Sequence, residues 1–529
     1  MVVEAKNNII KLTLLYFAAH WLLLVVTGYW IDDWCVYDQP IDVLVNMFTE
    51  TGTPFGVLSY IINSYLPEDG YKKIIFLLNY ANVLFLYKIL RNWLKCEHNY
   101  CFWICALYAV IPCFDARITL IMFNGTLNLF SFMFGLCILS EQLFVRNFSV
   151  HGRIVTLILF LYSFNLASFL TFYSLALLMI YTKEKTLKSA WKYIDFILLP
   201  IAYWIFKNVF FPAHGAYAGY NAIPLWGLVK AILLLLPADG IMLLNLLKNY
   251  VMFAAVPLVI GVFLYRYIKN EPYETEPLKG YERVMQERRK IQLLLLGILS
   301  LSMGLFPYLV VRGGPFIATS AFGGRDSMVV PMGAAIIFYV LIASIFNDKH
   351  RKIILITMLL SGVCYFNFYY LAYQRDYYKN VGFQYQLTEH PELKDLSTMI
   401  CEDSTSEVLN NSIFYTWNIN ARNVYGDQTR FIVRDKSEWE HYSKHKDILR
   451  IFVERPAYGM MQYNYEDTSV KCVLTYKFTG SYLDTIRLMT YGSDKDVFDS
   501  MGEYSQMEIY YPGTDKFNSI LGTEENIGR

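Results

Sequence analysis

Residues 9–29 read IIKLTLLYFAAHWLLLVVTGY, a largely apolar run of 21 residues that holds one lysine and one histidine. As a helix, such a run covers the roughly 30 Å of a bilayer core. Comparable runs recur over the first 375 residues. Composition agrees: 55% of the 529 residues are hydrophobic and only 17% are charged, where a soluble chain carries about a quarter charged. Mean hydropathy is +0.31. One water-soluble core could not cover so much apolar surface. The expectation is an α-helical polytopic membrane protein. The first run is too long for a leader-peptide core and lacks a small-x-small cleavage pattern, so it is expected to be a retained first helix.

Spans are expected at about 9–29, 73–93, 100–113, 118–143, 154–165, 168–182, 193–211, 249–268, 291–311, 328–346 and 353–373. The stretch 154–182 is one long helix or two short ones turning around Asn165 to Ser168. Charge decides for two. With eleven spans, the basic segments RNWLK (91–95), RNFSVHGR (146–153), TKEKTLKSAWK (182–192), YERVMQERRK (281–290) and NDKHRK (347–352) share one side with Lys6 and Lys11. The positive-inside rule makes that side cytoplasmic. The amino terminus is then inside. Loops 30–72, 212–248 and 312–327 lie outside, as does the tail. In the outer loops, 42–65 and 226–250 carry apolar residues at helical spacing, broken by Gly52, Pro54 and Gly56 and by Pro237 to Gly240. They are expected to form short helices on the membrane surface.

Two domains follow: a transmembrane part, 1–374, and a soluble tail, 375–529. The tail holds 17 basic and 24 acidic residues against a whole-chain net charge of +1. Strand composition at 412–419, 430–435, 448–455 and 470–478, with helical spacing at 481–489, suggests a small α+β domain. The nine cysteines form no CxxC pair and no ligand-like grouping with histidine. Cys401 and Cys472 share the tail, where an extracytoplasmic setting permits a disulfide without requiring one.

The acidic pair Asp32 and Asp33 follows the first run, between Trp30 and Trp34. Adjacent carboxylates repel, which tends to raise one pKa and suits a general base near neutral pH. Trp30 and Trp34 suit stacking on a sugar face, or an interfacial belt. Arg312 and Arg325 sit in a glycine-rich outer loop, and guanidinium groups there suit a phosphate. Arg117 follows Asp115 at another outer helix end, where an ion pair between them is as plausible as a phosphate contact. His214 and Asp326 are further outer-loop candidates for substrate contact.

Together these features resemble the GT-C superfamily of membrane glycosyltransferases, which use polyprenyl-phosphate sugars. The resemblance rests on IDDW (31–34) after the first span, surface helices in the first outer loop, GRDSMVVPMG (324–333) leading into a late span, and a soluble domain after the last. Within the superfamily the chain resembles bacterial enzymes that add glucose or a similar hexose to surface polysaccharides. The resemblance implies a catalytic base at Asp32 or Asp33, without choosing between them. It implies donor-phosphate contacts at Arg325, Arg312 and Arg117. It implies a polyprenyl-phosphate sugar as co-substrate, a polysaccharide or glycolipid acceptor, and partner enzymes that make and flip the donor. Members with monophosphate donors generally need no metal, so a divalent cation is disfavoured. No nucleic-acid partner is expected. A polymerase or ligase acting on undecaprenyl-pyrophosphate glycans, and a lipid-linked-glycan transporter, are the alternatives.

Overall fold

The structure is a computed structural model. It describes all residues except 1, 31, 38, 147–148, 187–190, 219–223, 269–279, 313–317, 407–408, 410–413 and 522–529. The chain divides into two compact units. Unit one comprises Met1–Val25, Ile41–Ile118 and Met122–Tyr369; unit two comprises Val26–Pro40, Thr119–Ile121 and Tyr370–Arg529.

Unit one is helical. Among the described residues of the whole chain, six helices are long and apolar enough to cross a membrane: Gly70–Asn92, Ile121–Phe144, Trp191–Phe210, Leu225–Met252, Glu287–Val311 and Asp348–Glu389. The last continues into unit two after Tyr369. Val150–Ser163 and Val330–Ile345 are shorter apolar helices. Many of the apolar side chains on these helices face outward, among them Leu198, Ile201, Leu233 and Leu244. A helical membrane protein accounts for such a surface, because lipid leaves apolar side chains nothing to hide from. Where helices do meet, small residues let backbones close. A Cβ at Gly333, on Val330–Ile345, would stand 2.6 Å from the Leu301 nitrogen and 2.7 Å from the Gly297 oxygen of the neighbouring helix.

Several expected elements are present. The chain breaks after Val150–Ser163 and resumes at Ser168–Phe172 and Ser174–Glu184. Tightened bonds carry the break, Asn165 N–H to the Tyr162 carbonyl and Leu166 N–H to that of Ser163, both 3.2 Å. The segment 42–65 folds into helices Ile41–Glu50 and Val57–Ser64. Between them Gly52 has φ +71°, a left-handed conformation that costs glycine nothing.

Two expectations are corrected. The first helix runs Val2–His20 rather than 9–29, and a 3-10 turn Trp21–Leu24 ends it. The His20 ring bonds the Ala109 carbonyl at 2.9 Å, so the polar ring is satisfied inside the fold. Second, the break expected at Pro237 to Gly240 is absent. Leu225–Met252 is a continuous helix of 28 residues with Pro237 inside it, one of the six of membrane length. Proline removes one N–H and crowds the preceding turn, which bends a long apolar helix without ending it. Asp239 in the same turn survives burial by accepting the Ser302 hydroxyl of the adjacent helix.

Unit two contains a four-stranded sheet: β1 (Thr398–Asp403), β2 (Phe431–Val433), β3 (Cys472–Phe478) and β4 (Ser505–Tyr510). Their order is β2-β1-β3-β4. β1 runs parallel to both β2 and β3, with Met399 opposite Cys472, and β4 is antiparallel to β3. The parallel core makes this a mixed α/β layer rather than the segregated α+β arrangement expected. Phe383, Leu387, Met399, Trp417, Ile432, Leu474 and Tyr476 form its core. Two expected strands are helices. Residues 414–425 form helix Phe414–Tyr425, buried through its first eight residues. Thr416, Asn418 and Asn420 alternate with apolar residues, which reads as a strand, but all three are buried in the helix. Lys446–Val453 is also helical, burying Leu449 and Val453 four apart. Cys401 and Cys472 lie on neighbouring strands, both thiols buried and free.

Candidate functional site

The acidic motif belongs to unit two. After Gly28 the chain makes a tight turn, with Asp33 N–H donating to the Trp30 carbonyl at 2.9 Å, and enters the one-turn helix Asp33–Val36. Here the two carboxylates part. Asp33 is fully buried. Its Oδ1 accepts the Ile121 backbone N–H at 2.8 Å, and its Oδ2 accepts that of Trp30 at 3.2 Å. A buried carboxylate bonded on both oxygens to backbone donors is a structural pin. Asp32 is half-buried at the N-cap and makes no capping bond. Its Oδ1 accepts the hydroxyl of Tyr415, from the first turn of helix Phe414–Tyr425. Of the two, Asp32 alone is open to solvent.

The tryptophans separate as well. Trp30 is fully buried; its Nε1 donates to the Tyr373 carbonyl at 2.5 Å and its ring meets the Tyr373 ring edge-on. Both faces lie inside the fold, so the expected stacking of Trp30 on a sugar is corrected: it is a core residue. Trp34 is 5% exposed, packs edge-on against Tyr29, and its Nε1 has no hydrogen-bond partner among the described residues.

The arginines belong to unit one. The turn Asp115–Ile118 packs against the turn Phe322–Ser327, which brings the segments of Arg117 and Arg325 together. Asp115 and Arg117 form no ion pair. The Asp115 carboxylate instead accepts the Tyr365 hydroxyl at 2.7 Å and the Ala321 N–H at 2.9 Å. It thereby pins the loop before Phe322, where Asn249 also bonds Thr319 Oγ1 at 3.1 Å and the Pro112 carbonyl at 2.8 Å. Burial raises the Asp115 pKa to about 7, against the opposing pull of the Tyr365 and Ala321 donors.

Arg117 is 6% exposed. Its Nε donates to the Phe114 carbonyl at 2.8 Å, and its guanidinium lies 5.0 Å from the Phe114 ring and 4.8 Å from that of Phe366. No carboxylate pairs with it among the described residues. It lines a small cavity with Tyr16, Asn79, Tyr108 and Met328 that has room for about one water. Aromatic faces and carbonyls compensate a buried cation only in part. Arg325 is about one-third exposed and lies 3.9 Å from Asp326, itself buried. Arg312 ends helix Gly280–Arg312, and its side chain lies outside the described residues, as do Gly313 and Gly314. His214 is exposed. Its N–H bonds the Glu50 carbonyl at 3.0 Å and its Nδ1 the Pro212 carbonyl at 2.9 Å, so it ties a loop to helix Ile41–Glu50.

Among the described residues no three His, Cys, Asp or Glu side chains group as metal ligands. Sequence reasoning missed Tyr415, Tyr365 and Asn249. Each acts through a partner more than 100 residues away, and no local pattern marks them. Comparison with protein-family models, curated proteins and solved structures finds no significant match.

Proposed function

We propose that the chain is an inverting membrane glycosyltransferase that moves a hexose from a polyprenyl-phosphate donor to a surface polysaccharide or glycolipid on the outer face of the cell membrane. The reading includes a cytoplasmic amino terminus and an extracytoplasmic tail. One observation carries it above the rest: Asp32, a half-buried carboxylate with a fixed partner, stands beside a carboxylate that is wholly committed to structure. This division leaves Asp32 as the general base and Asp33 as its support.

Asp32 takes the proton of an acceptor hydroxyl as that oxygen attacks the anomeric carbon. The bond from that carbon to the phosphate oxygen breaks, and polyprenyl phosphate leaves with the electron pair. A single displacement inverts the centre. Arg117 and Arg325 are assigned to the phosphate, whose leaving-group charge a guanidinium stabilises. The assignment rests on the lack of a carboxylate partner for Arg117 among the described residues and on the partial exposure of Arg325.

The test is transfer by the purified protein in nanodiscs, offered polyprenyl-phosphate hexoses and polysaccharide from cells lacking the protein. Wild type is expected to transfer from at least one donor with inversion, and Asp32→Asn to lose transfer. No transfer from any donor, or full turnover by Asp32→Asn, overturns the reading.

A further inference from the structure

We infer that Tyr415 is a positioning residue for Asp32, and that the carboxy-terminal segment acts in the reaction by holding the base. The inference rests on the role of Asp32 proposed above.

The observations all lie within unit two. The Tyr415 hydroxyl donates to Asp32 Oδ1 across 383 positions of sequence. Tyr415 is 9% exposed, and its ring is wedged between Phe414 and Tyr458, with centroids 5.4 Å away on each side. A ring so confined has one rotamer, and its hydroxyl has one direction. Asp32 receives no capping bond from its own turn, so the tyrosine supplies what local structure does not. Burial, with the Asp32 charge second, pushes the Tyr415 phenol well above its ordinary pKa, so it remains a donor throughout the working range. The titratable and charged groups around the pair are Asp33 and Cys35 on the motif, Arg422 on the same helix as Tyr415, and Tyr458.

A donor to a carboxylate favours its ionised form. Tyr415 therefore holds the rotamer of the base and offers a donor to its ionised form.

Tyr415→Phe keeps the ring and removes the hydroxyl. The expected result in the transfer assay is a kcat about 10-fold lower with acceptor KM little changed, and an acid limb of the kcat profile moved to higher pH. In the Asp32→Asn background the same change should add nothing to the residual rate. Replacement of Tyr415 by 3,5-difluorotyrosine, a stronger donor of nearly the same shape, should move the acid limb to lower pH. It answers the question even where Tyr415→Phe folds poorly. Unmoved acid limbs in an otherwise active protein overturn the positioning role and leave the proposed function standing. Full activity of Asp32→Asn removes both.

Discussion

Asp33 Oδ1 accepts the backbone N–H of Ile121, 88 residues further along the chain, at 2.8 Å. The bond joins the acidic turn to the short segment Thr119–Ile121, and both fall in unit two with the carboxy-terminal part of the chain. A residue that sequence reasoning placed beside Asp32 as its catalytic equal is an anchor.

Truncation of that anchor removes the carboxylate that accepts the buried Trp30 N–H and the part-buried Ile121 N–H. Asp33→Ala is expected to destabilise the protein by about 2–4 kcal/mol. Asp32→Ala, at a half-buried position, should cost much less. Thermal unfolding of both variants in detergent, followed by tryptophan fluorescence, compares them directly. Equal losses would contradict the division of roles.

Asp115 makes stability depend on pH in a defined direction. Its pKa in the fold is raised to about 7 by burial, from an ordinary carboxylate value near 4 in the unfolded chain. Between these values the folded state holds a proton that the unfolded state has lost. Stability therefore declines as pH rises from about 4 to about 7, and levels off above. Asp115→Asn should abolish this part of the slope. Melting temperatures of both proteins across pH 4–8 test it, and parallel curves would count against the assignment.

Arg325→Ala is expected to raise KM for the lipid donor by roughly 10-fold, the loss of one charge-assisted hydrogen bond, while acceptor KM holds. Arg117→Lys should also weaken donor use, since an ammonium cannot reproduce a planar guanidinium between two phenyl rings. Initial rates with each substrate varied in turn distinguish donor from acceptor effects. A change confined to the acceptor would remove the phosphate assignment.

The continuous helix Leu225–Met252 predicts a labelling pattern. In a variant without native cysteines, Cys at Leu236 or Leu244 should resist an aqueous maleimide, although both side chains face outward. Cys in place of Ser437, in the tail, should react in intact cells if the tail is extracytoplasmic. Rapid labelling at 236 and 244 would return the segment to the membrane surface. Labelling at 437 only after permeabilisation would reverse the tail.

Much of this was visible in order along the chain. The apolar runs, the break near Asn165 and the paired helices of 42–65 depend on nearest neighbours, and so does strand composition at 431–433 and 472–478. What composition misplaced were segments whose environment is uniform. Phe414–Tyr425 carries Thr416, Asn418 and Asn420 at alternate positions, the period of a strand, although its first eight residues are buried as a helix. Pro237 looked like a terminus because its cost is local, whereas the apolar surroundings that sustain the helix through it extend over 28 residues.

The sequence by itself determined that the chain is helical, apolar and membrane-like, because length and hydropathy act residue by residue against a slab of fixed thickness. It also supplied two adjacent carboxylates with nothing to tell them apart. Only tertiary structure separated them. Ile121 and Trp30 offered backbone N–H groups to Asp33, and Tyr415 offered a hydroxyl to Asp32. Burial with satisfied donors makes one carboxylate part of the framework, and partial exposure leaves the other for chemistry. That difference arises chiefly from Ile121, 88 residues from Asp33, and Tyr415, 383 from Asp32, and is written in no local pattern.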